Sequence, residues 1–179
     1  MVSDGRFLGT NVNLVATFQS LNLWLHLIFM AVWIGGMVFF LFVFAPAVHS
    51  LAPADGIRAL SHGRRSFEIL SWIALNLLFL TGVLNFLFRA MASGLHLGVV
   101  YYSILALKLL LFLAMTVHHS LQAFKYAPKI AALTSQSGDG VVSWPEPLLA
   151  NWSKWFRLLK INTTLGAVVL LLGLALSWR

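Results

Sequence analysis

The side chains of this sequence that could bind a metal or a haem iron lie inside long apolar stretches. His26 belongs to the segment LHLIFMAVWIGG, and Lys108 is surrounded by leucines in LALKLLLFL. An ionisable group inside an apolar membrane segment is costly to bury, and its presence there indicates a function. An imidazole is a common axial ligand of haem iron, and an uncharged amine can complete the coordination. The two residues therefore indicate haem chemistry.

The positions of these residues along their segments predict that they come close together. His26 lies about 7 Å into the first apolar segment and Lys108 about 14 Å into the third, at roughly 1.5 Å of rise per residue. Helical side chains point back toward the N-terminus, and a lysine is long enough to bring its amine near the level of His26. The pair could hold one haem in the outer leaflet.

Further histidines lie near the other end of the third segment. Lys108 and His119 are separated by three helical turns and share one face, whereas His118 faces a different neighbour. His62 precedes the second segment and is expected at the level of His118 and His119. Imidazoles from two helices of a bundle commonly cage haem b, so His119 is an alternative partner of His26 and a second haem is conceivable. The histidine pair could equally meet lipid phosphates.

Copper is the other metal that these residues could bind. His26, Met30 and Met37 share one stripe of the first segment, and Met115 lies one turn before the histidine pair. Thioether and imidazole ligands suit Cu(I). Methionine also fills the cores of many helical bundles, so a purely structural interpretation stays open.

Several other chemistries are excluded. The chain has no cysteine, which excludes disulfides, thiolate metal sites, thioether-linked haem and cysteine-ligated iron–sulfur clusters. No catalytic triad is visible, and Glu68 is the one acidic residue near an apolar segment, so hydrolase chemistry is not expected. Glycine motifs that bind phosphate are absent as well.

Composition and length indicate the elements that must position these residues. Of 179 residues, 60% are hydrophobic and 9% are charged, whereas a soluble domain carries about 25% charged residues. Lipid must cover most of such a surface, which excludes an ordinary soluble enzyme and a disordered chain. Apolar stretches long enough to cross a bilayer as helices occupy residues 21–48, 67–88, 99–121 and 161–178. We predict one domain, an all-α integral membrane four-helix bundle.

The distribution of basic residues predicts the orientation of this bundle. Eight lysines and arginines lie in or beside the first and third loops, and three lie on the other side. We expect both loops in the cytoplasm of a bacterial-type inner membrane, with both termini outside. The net charge of +7 then reflects topology and not nucleic-acid binding. Within the third loop (122–160), Thr134–Ser143 is expected to be flexible and Trp144–Arg157 to form an interfacial helix. No secretory signal precedes the first span, so we expect that helix to be retained.

Several short motifs resemble the copper-resistance D (CopD) family of membrane domains. They are the segment LHLIFMAVWIGGMVFFLFVFAPAV, Arg64–Arg65 leading to Thr81–Gly82, Leu107–Lys108–Leu109, and the basic segment WFRLLKINTTLG before the last span. The resemblance covers about residues 20–177. It implies a polytopic inner-membrane protein associated with copper uptake or resistance.

The chain is also similar to the four-helix HemJ-type protoporphyrinogen oxidases. The histidine and lysine implicated in haem b binding in that family correspond to His26 and Lys108, and a later histidine corresponds approximately to His119. That family has Arg and Tyr after the tryptophan of the first span. This chain is apolar there through Pro46, which argues against the oxidase activity. CopD-like domains usually have an acidic residue where this chain has Asn162. This departure, with His118–His119 in place of the usual Asn-type residue, favours haem over copper transport.

The leading hypothesis is a haem b-binding membrane protein of electron transfer, acting as a small subunit or partner of a membrane redox complex. His26 is the expected axial ligand, and Lys108 or His119 is its partner. The alternatives are a copper transport protein that uses the histidine and methionine stripes, and a structural subunit that binds no metal. The expected partners are the bilayer and other membrane subunits.

Overall fold

The computed structural model describes residues 4–94, 96–137 and 141–177. The helices are α1 (Asp4–Phe39), α2 (Ala45–His49), α3 (Pro53–Ala92), α4 (Val99–Ser120), α5 (Ala127–Gln136) and α6 (Glu146–Ser177). Two π-helical turns, Phe40–Phe44 and Leu121–Tyr126, join α1 to α2 and α4 to α5. The described part of the chain therefore forms four continuous helical rods without a strand. The predicted all-α four-helix bundle is confirmed.

Each π-helical turn leads into an Ala-Pro step. Pro46 is the second residue of α2 and Pro128 is the second residue of α5. A proline inside a helix cannot donate a backbone hydrogen bond, and its ring collides with the carbonyl four residues earlier. A wider turn before the proline relieves this collision without ending the helix. The first and third rods consequently continue past their prolines.

The four rods are long and apolar enough to cross a membrane. The candidate spans are Leu14–His49, Pro53–Ala92, Val99–Gln136 and Glu146–Leu176, called spans one to four below. At most 33% of the most apolar window of any span is buried inside the protein. Large apolar side chains such as Trp24 and Phe42 are therefore exposed on the outside of the bundle. A surface of this kind fits a lipid environment, so the chain is a multi-pass membrane protein.

The helices extend beyond the predicted spans at the end of the bundle that carries loops one and three, called the basic end below. Span two begins at Pro53 and not near residue 67, so Arg58, Arg64 and Arg65, which were expected in the first loop, are helical. Span three continues to Gln136. The interfacial helix expected over Trp144–Arg157 is not a separate element, because α6 runs unbroken from Glu146. Residues 138–140 of the expected flexible linker lie outside the described residues.

Aromatic packing explains why the helices continue at the basic end. Phe40, Phe67, Trp152, Trp155 and Phe156 contact one another with ring centroids 5.2 to 6.1 Å apart. These residues come from spans one, two and four, and their burial rewards helical structure beyond the apolar segments. Hydropathy alone marks the lipid-facing portion of each rod and therefore predicts helices that are too short.

Packing at the opposite end, called the loop-2 end below, is different. Span one packs chiefly on span two there, and α4 packs chiefly on α6. Arg89 joins these pairs, since its Nη1 donates to the carbonyl of Leu176 at 3.1 Å and its guanidinium lies 5.0 Å from the ring centre of Tyr101. Spans two, three and four are thus tied together where α3 ends.

Candidate functional site

The bundle contains two polar layers, and the one nearer the loop-2 end surrounds His26. This His26 layer comprises Asn22, His26, Thr81, Asn85 and Lys108. The Nδ2 of Asn22 donates to the Thr81 carbonyl at 2.9 Å and to the Asn85 Oδ1 at 2.8 Å. Asn22 is only 7% exposed, so both bonds form away from lipid and join spans one and two.

The hydrogen bonds of His26 fix its tautomer. Its Nδ1 lies 2.8 Å from the Thr81 Oγ1, and that hydroxyl donates to the Leu77 carbonyl at 2.6 Å. A hydroxyl has a single proton, so Thr81 must accept from His26, and the imidazole carries its proton on Nδ1. The Nε2 atom then has a free lone pair. Histidines that ligate metals almost always donate their other ring N–H in this way.

Two glycines leave room for the ionisable side chains of this layer. A Cβ at Gly82 would lie 3.4 Å from the Cε1 of His26, and a Cβ at Gly173 would lie 3.6 Å from the Nζ of Lys108. The imidazole therefore rests against α3 and the amine against α6. The charge of Lys108 acts on His26, which places the two residues in the same part of the bundle, although no hydrogen bond joins them among the described residues. Their role as ligands stays a prediction.

The second polar layer lies within the aromatic packing at the basic end. This His119 layer comprises Arg64, Glu68 and Ser71 of α3, His119 and Gln122 of span three, and Trp152 and Trp155 of α6. The Nη1 of Arg64 contacts both carboxylate oxygens of Glu68, at 2.8 and 2.7 Å. Arg64 is buried and Glu68 is half-buried. The carboxylate is thus held one helical turn from the arginine, inside the bundle.

His119 is enclosed by other side chains of this region and is 1% exposed. Its ring packs edge-on against Trp72 at 5.0 Å and Phe67 at 6.4 Å. The side chain of Gln122 and the backbone of Glu68 lie beside it, yet no described group meets hydrogen-bond geometry with its Nε2. The imidazole is therefore buried with the Gln122 side chain and the Glu68 backbone as its polar neighbours.

Several other buried polar atoms in the His119 layer are also without a partner among the described protein groups. They are Arg64 Nε, Ser71 Oγ, Gln122 Oε1 and Trp152 Nε1. The Nε2 of Gln122, in contrast, donates to the Trp155 carbonyl at 3.0 Å. Buried polar groups are nearly always paired in folded proteins, so this concentration distinguishes the layer from the rest of the core.

No protein-family model, curated protein or solved structure matches this chain.

His118 makes different contacts from His119, as their spacing predicts. Its Nδ1 lies 3.0 Å from the Oδ1 of Asn162, whose Nδ2 donates to the Met115 carbonyl at 3.1 Å. Because that amide oxygen is the acceptor, the Nδ1 of His118 is the donor of this bond. Asn162 therefore fixes the orientation of His118 from span four.

The structure does not bring His62 to the histidine pair. His62 is exposed on α3, while Leu60 and Arg64 on the opposite side of the helix are buried. The methionines of the copper alternative lie in the apolar core: Met37 and Met115 are buried in it, and Met30 packs against it. Within the described residues, no group of three or more His, Cys, Asp or Glu side chains could hold a metal ion.

The sequence interpretation did not include Asn22, Asn85 or Gln122 among the functional candidates. Asn22 lies four residues before His26, which places both on one face of α1. An amide inside an apolar segment is also costly without a partner, so this spacing was an available signal. Gln122 offered a weaker signal, because its position near the end of the apolar stretch also suits a head-group contact.

Proposed function

We propose that the chain binds haem b within the membrane and passes electrons, as a small subunit or partner of a membrane redox complex. His26 is an axial ligand in this proposal, and Lys108 is its partner. The observation that carries it is the hydrogen-bond geometry of His26, whose Nδ1 lies 2.8 Å from a Thr81 hydroxyl that itself bonds to the Leu77 carbonyl. This geometry favours a proton on Nδ1 and leaves Nε2 to ligate. The resemblance to the HemJ-type proteins supports the same assignment, whereas the resemblance to the CopD family supports the copper alternative.

The donor set around His26 fits such a group. Imidazole and amine nitrogens lie in one region of the bundle, and the neighbouring Gly82 and Gly173 add no side-chain bulk. A bound haem b would supply one-electron transfer, and an apolar environment with few charges would tune its potential. In this arrangement Thr81 orients the imidazole and Asn22 holds the Thr81 segment of α3 against α1.

The proposal is tested by purifying the full chain in detergent and recording its haem spectrum. We expect a Soret band and a pyridine haemochrome of the b type. His26→Ala should lose most of the haem, because alanine removes the ligand. Lys108→Met should retain haem with a shifted spectrum, since methionine also ligates haem iron. His119→Ala should leave the haem in place.

His49→Ala is the matched control, because His49 is exposed and stacks on Trp144 at the basic end. Circular dichroism of each variant separates loss of haem from loss of fold. A wild-type protein without a Soret band would overturn the proposal. Copper without haem would select the transport alternative with Met30, Met37 and Met115, and neither metal would select a structural subunit. Loss of haem in His119→Ala alone would make His119 the axial partner.

We further propose that loops one and three face the cytoplasm of a bacterial-type inner membrane, from the excess of basic residues beside them. The chain lacks cysteine, so single cysteines report their side directly. A cysteine at Ser143, which is exposed in loop three, should be protected from an impermeant thiol reagent added to intact cells. A cysteine at Gly98, where a Cβ meets open space, should be labelled. The reverse pattern would contradict this orientation.

A further inference from the structure

A groove of about 640 Å³ opens on the outside of the bundle between spans one and four, at the basic end. Leu41, Pro46 and Phe156 form part of its apolar wall. Leu41 belongs to the first π-helical turn, and Pro46 follows that turn directly. Because Ala45 and Pro46 are compact, the side of span one that faces α6 leaves a recess there.

The rest of the groove is polar and includes two cations, Arg157 and Lys160. Arg157 and Lys160 lie on its α6 side, one helical turn apart, and His49 lies on its α2 side. Arg157 and Lys160 are exposed and form no ion pair with an acidic side chain of the described residues. Two uncompensated cations at one groove attract an anion, and an arginine in particular suits phosphate oxygens.

The position of Arg157 and Lys160 along α6 indicates which kind of anion the groove suits. The apolar part of span four begins at Ile161, directly after Lys160, so the two basic groups lie at the boundary between hydrocarbon and head groups. The apolar wall continues beside them. A molecule that fills such a groove has a negatively charged head and a hydrocarbon tail.

We propose that this groove binds one anionic phospholipid. Its phosphate lies between Arg157 and Lys160, where the hydroxyl of Ser153, which also lines the groove, can donate a hydrogen bond. An acyl chain lies along Leu41 and Phe156. The lipid thereby joins span one to span four at the end of the bundle opposite to His26. This inference does not depend on haem binding.

Native mass spectrometry of the full chain in detergent tests the proposal, with phosphatidylglycerol and phosphatidylcholine as probes. Phosphatidylglycerol should bind to the protein and raise its melting temperature. Phosphatidylcholine should bind more weakly and stabilise the protein much less. The double variant R157Q/K160Q should bind phosphatidylglycerol about tenfold or more weakly, since each basic group near a membrane surface contributes about a few-fold to tenfold in affinity.

The matched control is K125Q/K129Q, which removes two exposed lysines of span three at the same end. It should change binding by less than about twofold, because those lysines do not line the groove. Equal weakening in both double variants would mean general surface attraction and would overturn the proposal. Full competition by glycerol phosphate, which lacks acyl chains, would also overturn it by assigning a phosphate site. Equal binding of phosphatidylglycerol and phosphatidylcholine would also overturn the proposal.

Discussion

The His26 and His119 layers accommodate polar groups inside the apolar bundle in different ways. Each contains a histidine between helices of an apolar bundle. In the His26 layer the polar groups pair with one another, from Asn22 through Thr81 to His26. In the His119 layer an ion pair and a buried imidazole lie beside polar atoms that no described protein group satisfies.

The difference indicates different tasks. In the His26 layer, the bonds of Asn22, Thr81 and His26 hold these three side chains in one geometry and leave the Nε2 of His26 without a hydrogen bond. The proposed role of His26 as an axial ligand requires such an arrangement. The His119 layer is held in place by aromatic packing together with the bonds of Arg64 and Gln122. Its remaining polar atoms can form hydrogen bonds with buried water.

The largest expected change in unfolding free energy comes from removing one member of the Arg64–Glu68 ion pair in the His119 layer. Glu68→Ala would leave the buried guanidinium of Arg64 without its carboxylate partner. Loss of one member of a buried ion pair costs about 3–5 kcal/mol of unfolding free energy, because the remaining charge stays desolvated. Unfolding of the purified protein by denaturant in detergent measures this loss. The exposed Glu146, changed to alanine, should alter stability by less than about 0.5 kcal/mol.

A double variant sharpens this result. R64M/E68L removes both charges and keeps apolar volume, and such replacements are often neutral or stabilising. It should recover most of the stability that Glu68→Ala loses. A double variant as unstable as the single one would show that the pair is needed for its hydrogen bonds to other groups and not only for mutual neutralisation.

Much of the fold follows from the sequence alone, because hydropathy reports lipid contact directly. The four spans were predictable from apolar length. The helical structure around Arg58, Arg64 and Arg65 was not, since charge normally marks a loop, and the Glu68 partner and the surrounding rings make the burial of Arg64 acceptable.

The partners of individual side chains were also beyond the sequence. Thr81 and Asn162 bond to His26 and His118 from other helices, and the rotation of one helix against another is set by packing over the entire interface. The π-helical turns had a visible signal in two Ala-Pro steps. A proline in a long apolar segment predicts a kink or a widened turn, but it does not specify which.

Replacing the buried amide of each layer should have a smaller effect on the unfolding free energy and compares the two layers directly. Asn22→Leu removes two interhelical hydrogen bonds and leaves the Asn85 Oδ1 without its donor, which should cost about 1–3 kcal/mol. Gln122→Met removes one bond to a helical carbonyl but also removes the unpartnered Oε1. It should therefore cost about 1 kcal/mol or less. Denaturant unfolding in one detergent measures both.

Asn76→Leu is the control for replacing an amide by an apolar group, because Asn76 is exposed and bonds only to the carbonyl of Trp72 in its own helix. Its change should lie within about 0.5 kcal/mol. A cost for Gln122→Met that equals the cost for Asn22→Leu would mean that the Gln122 Oε1 is fully hydrogen-bonded in solution, since only the loss of a satisfied acceptor gives that magnitude. Water would then complete the His119 layer, and both layers would be closed networks that differ in whether protein or solvent supplies the last partners.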